Sequence, residues 1–357
     1  MQPTVCLNMI VRDEAAVIER CLASVRAHID YWVIVDTGSV DDTPARIERA
    51  LAGVPGELHR SPWRDFGHNR NDALRRARDK ADYLLFIDAD EQLEVDAGPA
   101  RPALAAEAYS LETCFGALRY DRVALVSTAL PWRWVGVLHE YLEADAPVAQ
   151  PRLPGFRIRV TPDGARSRDP AKFDKDAAVL REALAREPDN ARYAFYLAQS
   201  YRDAGKPELA LRYYRQRADM GGWDEEVWYS RFQVAILSEH LQAPRETVID
   251  AYLAAHACRP RRAEALTALA TYLRGRQDWE LAYLFARAAS DIPMPGDRLF
   301  VDATVYRWRA SDELALAAFY SGRAERAGRL WRQLLDSGEL PASERDRVRQ
   351  NLTYIAP

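Results

Sequence analysis

Along the first ninety or so positions, apolar runs alternate with stretches whose apolar residues recur at helical spacing. Val5–Val11 is a short, largely apolar run. Ala16, Val17, Cys21, Leu22 and Val25 then follow at intervals suited to one helix face within 13–29, so the pattern predicts a strand and then a helix. A second apolar run, 31–35, predicts another strand that closes on the polar stretch 36–44. Asp42 or Thr43 is expected to cap the next helix, with Pro44 in its first turn. The segments 57–60, 69–78 and 83–87 continue as strand, helix and strand. Strands and helices alternating in this order imply a parallel α/β sheet, whose ligands bind beyond the carboxyl ends of the strands.

After residue 100 the pattern turns β-rich, with 108–115, 118–127 and 132–142 read as extended segments and 156–160 as a last strand. The stretch 151–168 is otherwise rich in Pro, Gly, Arg and Asp and reads as a linker, which puts a domain boundary between 165 and 166. From 169 onward the chain reads as helix. Leu197, Ala198, Tyr201, Gly205, Ala210 and Tyr214 fit one helix-pair frame, and Leu269, Ala270, Leu273 and Ala282 repeat it two units later, a unit being about 34 residues. Residues 251–255 with Pro260 fit a closing helix between them, and 314–331 is a looser copy. These echoes resemble tetratricopeptide (TPR) repeats, whose stacked helix pairs leave a concave surface for peptides or partner proteins. A rigid scaffold or a homodimer contact through the helical part is the alternative use. The basic run 259–262 either meets an acidic acceptor or, with Glu264 and Asp278 nearby, forms a solvated helix junction.

One local feature stands out against this pattern. The apolar strand 83–87 runs directly into Asp88, Asp90 and Glu91, a concentration of negative charge that calls for a cation. On an extended backbone Asp88 and Asp90 share side-chain parity and face one divalent ion, and hard oxygen ligands suit Mg²⁺ or Mn²⁺. Asp36 ends the second strand, and Arg12, Asp13 and Glu14 follow the first, so three polar clusters converge on one sheet edge. Trp132 and Trp134 are read as core residues before sugar contacts. His139 beside Glu140 is, on the residues alone, read as a structural group, because neighbours on a strand face opposite sides; a bend at Gly136 or His139 removes that objection.

Composition narrows the classes. At 357 residues the chain favours two domains. A net charge of −4 provides no basic field for nucleic acid. Cys6, Cys21, Cys114 and Cys258 form neither a metal-type pair nor a disulfide framework and are expected as reduced thiols. Without a long apolar run or a basic leader, the expectation is no transmembrane segment and a cytoplasmic location.

The segments LNMIVRDE (7–14), VDTGSVDDT (35–43), DFGHNRN (65–71), DADE (88–91) and GVLHE (136–140) resemble bacterial family-two glycosyltransferases. MGGW (220–223) and RPRRAE (259–264) extend the likeness to members carrying a C-terminal helical domain. The resemblance implies a GT-A fold over 1–165 (a Rossmann-like mixed α/β sheet), an all-α TPR-like domain over 166–357, a UDP-sugar donor, a Mn²⁺ or Mg²⁺ ion and inverting transfer of a hexose. The acceptor it implies is a peptide, a protein or a saccharide.

Carried over residue by residue, it implies that Arg12 and Glu14 contact the nucleoside, Asp36 the base, and Arg70 with Asn71 the ribose or diphosphate. Asp88 and Asp90 take the metal, His139 a further ligand position or the diphosphate, and Glu140 the role of catalytic base, with Glu91 second. Asp13 and Thr37 stand where many relatives carry Asn and Asp. A TPR interaction scaffold with an inactive nucleotide-binding domain is the alternative. A nucleotidyltransferase would need a Gly-rich basic loop after the first strand, which is missing.

Overall fold

The computed structural model describes residues 2–96, 103–116 and 118–355. The chain divides into two compact units, Met1–Ala183 and Leu184–Pro357, a later division than the linker reading suggests.

In the first unit the elements are β1 (Val5–Val11), α1 (Ile18–Val25), β2 (Tyr31–Asp36), α2 (Thr43–Ala50), β3 (Gly56–Arg60), α3 (Phe66–Ala77) and β4 (Tyr83–Phe86), followed by β5 (Glu91–Val95), β6 (Ala108–Phe115), β7 (Leu118–Ser127), β8 (Arg133–Val135), β9 (Tyr141–Glu143) and β10 (Arg152–Val160). The eight-stranded sheet runs β3-β2-β1-β4-β7-β6-β10-β5. Its first four strands are parallel, as the alternation predicts. From β7 onward antiparallel pairs enter, so the sheet is mixed.

Strand parity sorts the core onto the two faces. Leu7, Met9 and Ile34 pack with Ile18, Leu22, Val25 and Ile47, while Cys6, Val33, Leu84 and Phe86 pack with Leu74, Ala77 and Trp132. Each such side chain contributes about 1.5–3 kcal/mol when fully buried.

Several local expectations are corrected. Helix α1 is shorter than 13–29, and residues 26–28 continue it only as a 3₁₀ turn. Helix α2 is held at its start by neither Asp42 nor Thr43: the Asp41 carboxylate accepts from the Thr43 backbone N–H at 3.0 Å and its hydroxyl at 2.5 Å. Helix α3 begins at Phe66, before the predicted 69, because Asp65 caps it by accepting from His68 N–H at 2.7 Å. The stretch 132–142 is not one strand. Gly136 (φ +105°) and His139 (φ +54°) turn the chain back, making the two-stranded ribbon β8-β9.

The second unit is built from consecutive antiparallel helices. After α4 (Lys172–Arg186), which crosses the division, come α5 (Ala191–Asp203), α6 (Pro207–Asp219), α7 (Asp224–His240), α8 (Arg245–Cys258), α9 (Glu264–Gly275), α10 (Trp279–Ser290), α11 (Ala310–Tyr320), α12 (Ala324–Asp336) and α13 (Ala342–Thr353). The frames read in the sequence fall on the pairs α5–α6, α9–α10 and α11–α12, and α8 is the predicted closing helix. Small residues at the contacts, including Ala198, Ala210, Ala270, Ala282, Ala318 and Ala327, are fully buried.

The basic run 259–262 is no solvated junction. Arg262 is fully buried, bonds Glu264 and the carbonyls of Leu299 and Phe300, and lies 3.7 Å over the Trp228 ring. Arg259 pairs with Asp297 at 2.5 Å. These arginines tie the 291–304 connection to α7 and α9, so their charge is spent internally. All four cysteines are free thiols. No helix among the described residues is long and apolar enough to cross a membrane.

Candidate functional site

The carboxyl ends of β1, β2 and β4 carry the predicted polar clusters, and the rest of the site is brought to them by α3, β7, the turn 136–140 and the segment 161–168. Strand β4 ends at Phe86, so Asp88 and Asp90 are not on one extended strand and do not share its parity. They lie in a turn closed by Glu91 N–H to Asp88 carbonyl at 3.0 Å, and the Glu91 carboxylate accepts from Asp88 N–H at 2.9 Å.

The negative charge of this turn is partly met by arginines. Arg70, from α3, donates from Nη2 to Asp88 at 2.7 Å and from Nε to Glu140 at 2.6 Å. Arg122, from β7, donates to Glu91 at 2.6 Å and stands 4.0 Å from Asp88. Glu140, Arg70, Asp88, Arg122 and Glu91 thus form a chain of alternating charge. Burial alone would raise the Asp88 carboxyl, yet Arg70 and Arg122 outweigh it and lower its pKa. Burial works against the charge of Arg70, and Asp88 with Glu140 reverses the balance.

Asp90 is left out of this chain and has no ion pair among the described residues. Burial, then the neighbouring charges of Asp88, Glu91 and Glu14, push its carboxyl up to about 6. The segment 161–168, read from sequence as linker, closes over it. Thr161 N–H bonds the Asp90 carbonyl at 3.0 Å, and a Cβ at Gly164 would stand 3.1 Å from the Asp90 carboxylate, so only glycine fits without displacing it. Ala165 N–H donates to Glu14 at 3.0 Å, and Arg20 grips Asp163 through two bonds of 2.7 Å. Burial raises the Glu14 carboxyl.

The position of Glu140 has an equally specific origin. Gly67 packs so closely on the Gly136 carbonyl that a Cβ there would come within 2.2 Å of its oxygen, and Phe66 N–H bonds the Val137 carbonyl at 3.1 Å. The turn 136–140 therefore rests on the first turn of α3, one helical turn before Arg70. Asn71 reinforces this by exchanging two 2.8 Å bonds with the Trp134 backbone, so it holds protein in this structure. Trp134 lies under the Arg70 guanidinium at 5.0 Å, and Trp132 is core.

The remaining predicted residues are placed as follows. Asp36 is buried and its carboxylate accepts from Ser39 N–H at 2.9 Å and Gly38 N–H at 3.4 Å. Arg12 is exposed at the rim, 3.7 Å from Asp13. Glu91, the second candidate base, is buried against Arg122. His139 is exposed, and it is not gathered with Asp88 and Asp90: among the described residues no group of three or more His, Cys, Asp or Glu side chains is arranged to hold a metal.

A divalent ion taking one or two carboxylates, with phosphate and water oxygens as its other ligands, still fits, because Asp90 carries the unbalanced charge. Sequence reasoning missed Arg122, Gly67, Gly164 and Arg166. Arg166 pairs with Asp176 through two 2.7 Å bonds and covers Phe66 at 4.5 Å. None of the four carried a distinct signal: Arg122 sits in a strand that also holds Arg119 and Asp121.

Residues 6–100 match the family model for Glycosyl transferase family 2. A TPR repeat-containing protein of Synechococcus elongatus is 31% identical over 268 residues, 70% of this chain and 65% of that protein. The SPbeta prophage-derived glycosyltransferase SunS of Bacillus subtilis is 33% identical over 89 residues, 25% of this chain and 20% of SunS. The chain thus spans less than two thirds of either relative. Among solved structures, the MamA protein covers 47% of the chain at 18% identity and TM-score 0.39 over 84% of its own length. The Pseudomonas aeruginosa pilF structure covers 48% at 17% identity and TM-score 0.36 over 69% of its own.

Proposed function

We propose, from the premise that this chain carries a family-two glycosyltransferase domain followed by TPR-type helix pairs, that it is a metal-dependent, inverting transferase of a hexose from a UDP-sugar. The observation that supports this most is the pairing of an unbalanced Asp90 with the Glu140–Arg70–Asp88 bridge beside it. A nucleotide diphosphate leaves with growing negative charge. Asp90, with Asp88 beside it, would hold Mn²⁺ or Mg²⁺, which when bound offsets that charge as a Lewis acid.

The chain's own residues do the rest. Arg12, Glu14 and Asp36 line the nucleoside end, and the arginines beside Asp88 stay charged next to the diphosphate. Arg70 fixes one oxygen of Glu140, and the other takes the acceptor's proton as its oxygen attacks the anomeric carbon. Inversion needs a single such base, by analogy with the hydrolytic case. Gly164 and the Ala165 bond to Glu14 cover one side of Asp90. The helical unit, in this reading, helps to hold a peptide, protein or glycan acceptor.

The test is calorimetric titration of UDP with and without Mn²⁺, followed by UDP release from a panel of UDP-sugars. Metal-dependent binding and release support the transferase. Absence of both supports the scaffold alternative. Asp90→Ala is expected to abolish metal-dependent UDP release, and release at the wild-type rate would remove Asp90 from the metal site.

A further inference from the structure

Strands β4 and β7 pair with Leu85 opposite Leu125 and Tyr83 opposite Ser127. Past the end of β4, Asp88 approaches Arg122 of β7 to 4.0 Å. Tyr120 is two residues further along β7 on the same face, about 7 Å beyond the acid cluster. Tyr120 is 42% exposed although it stands within a sheet.

Across the sheet the order of strands is β2, β1, β4, β7. Asp36 and Arg12 mark the nucleoside end on β2 and β1, and Asp88 and Asp90 mark the phosphate end after β4. A donor laid out in that order points its sugar toward β7. The next position along the same line is Tyr120.

On this face the core residues Leu111 and Ile158 give way to polar groups beside Tyr120. Thr113 lies opposite it on β6, fully buried and with a hydroxyl that has no hydrogen-bond partner among the described residues. Arg122 lies on its other side. The Tyr120 hydroxyl itself is raised by burial, lowered by Arg122 and raised again by Glu91 and Asp88, so it reaches the same electrostatic neighbourhood. An aromatic face carries negative charge density and meets the C–H face of a pyranose favourably, while Arg122 borders it with donors suited to ring hydroxyls.

We propose that Tyr120, with Arg122 at its edge, is the platform on which a saccharide acceptor lies. This rests on the transferase reading and adds to it the class of acceptor and the residue that selects it. The acceptor ring stacks on Tyr120 and presents one hydroxyl toward the site.

The full-length protein with Mn²⁺ and the UDP-sugar it hydrolyses fastest is assayed for UDP release with methyl and p-nitrophenyl glycosides as acceptor probes. Glycosides are expected to stimulate release by the wild type. Tyr120→Ala is expected to raise the acceptor KM about tenfold while leaving the Kd for UDP and Mn²⁺ within about twofold. Tyr120→Phe, which keeps the ring, is expected to restore the acceptor KM to near the wild-type value.

The proposal is overturned if Tyr120→Ala changes UDP affinity and spares the acceptor KM, which would put Tyr120 on the donor side. It is also overturned if unstructured peptides stimulate release and glycosides do not. Failure of the wild type to bind UDP or release it from any donor is a separate result and would overturn the transferase reading itself.

Discussion

Glu140 gives one carboxylate oxygen to Arg70 and keeps its place through a glycine contact two segments away, so its geometry and its chemistry can be separated by mutation. Glu140→Gln keeps the size and a bond to Arg70 but cannot take a proton. Turnover is expected to fall about 10²- to 10⁴-fold with UDP affinity retained, measured by UDP release and calorimetry. Weaker nucleotide binding with normal turnover would assign the base elsewhere.

At the far side of the same unit, Glu57 accepts from Lys80, Tyr31 and His59, and these bonds lower its carboxyl to about 2. Its contribution to stability is full above the ordinary carboxylate range and is lost as pH falls from about 4.5 toward 2. Because the side chain is only about 30% exposed and solvent screens the pairs, Glu57→Gln is expected to cost about 1 kcal/mol at pH 7 and clearly less at pH 3, where part of that stability is already lost. Urea unfolding at the two pH values measures this, and an equal cost at both would show that the charge is irrelevant.

Among the elements, the turns inside the helix pairs repeat one geometry under different residues. Gly205, Gln242, Gln277 and Gly322 all have positive φ. In each turn the next residue's N–H bonds back to Tyr201, Ser238, Leu273 and Ala318 respectively, the Schellman arrangement that glycine suits best. Gln277→Gly is therefore expected to stabilise the protein by about 1 kcal/mol, read as a shift of the denaturation midpoint; a loss of stability would mean that the glutamine side chain contributes more than its backbone strain costs.

This also shows what the sequence makes legible. Apolar runs and helical spacing announce β1 to β4 and most of the helices, because burial imposes those periods. The turns at Gln242 and Gln277 are invisible, since nothing but backbone conformation distinguishes them. Strand β5 was missed because its alternating residues begin inside the acidic motif. The ribbon β8-β9 read as one strand because the aromatic and aliphatic residues on both sides of Gly136 and His139 share one extended pattern.

For the molecule as a whole, the first compact unit runs to Ala183, within α4. The Pro- and Gly-rich stretch near 165 looks like a linker, yet Thr161, Asp163, Ala165 and Arg166 bind Asp90, Arg20, Glu14 and Asp176, and Gly164 packs against Asp90. Contacts between residues so distant in the chain leave no periodic trace. Asp36, Asp88 and Asp90 were legible from their strand-end positions and Arg70 from its motif, whereas Gly67, Gly164, Arg122 and Arg166 were legible only in three dimensions. A chain ended at 183 is expected to be folded and to bind UDP with Mn²⁺. One ended at 165 loses the Arg166–Asp176 anchor and is expected to melt several degrees lower, by circular dichroism. Equal melting temperatures would return 166–183 to the status of linker.

The meeting of Glu14 with Ala165 and of Arg20 with Asp163 has a consequence in time. Residues near the start of this unit thus touch residues made 143 and 151 positions later. The covering of Asp90 is therefore completed late in synthesis, and a nascent chain stalled before residue 161 lacks the segment that closes over that carboxylate.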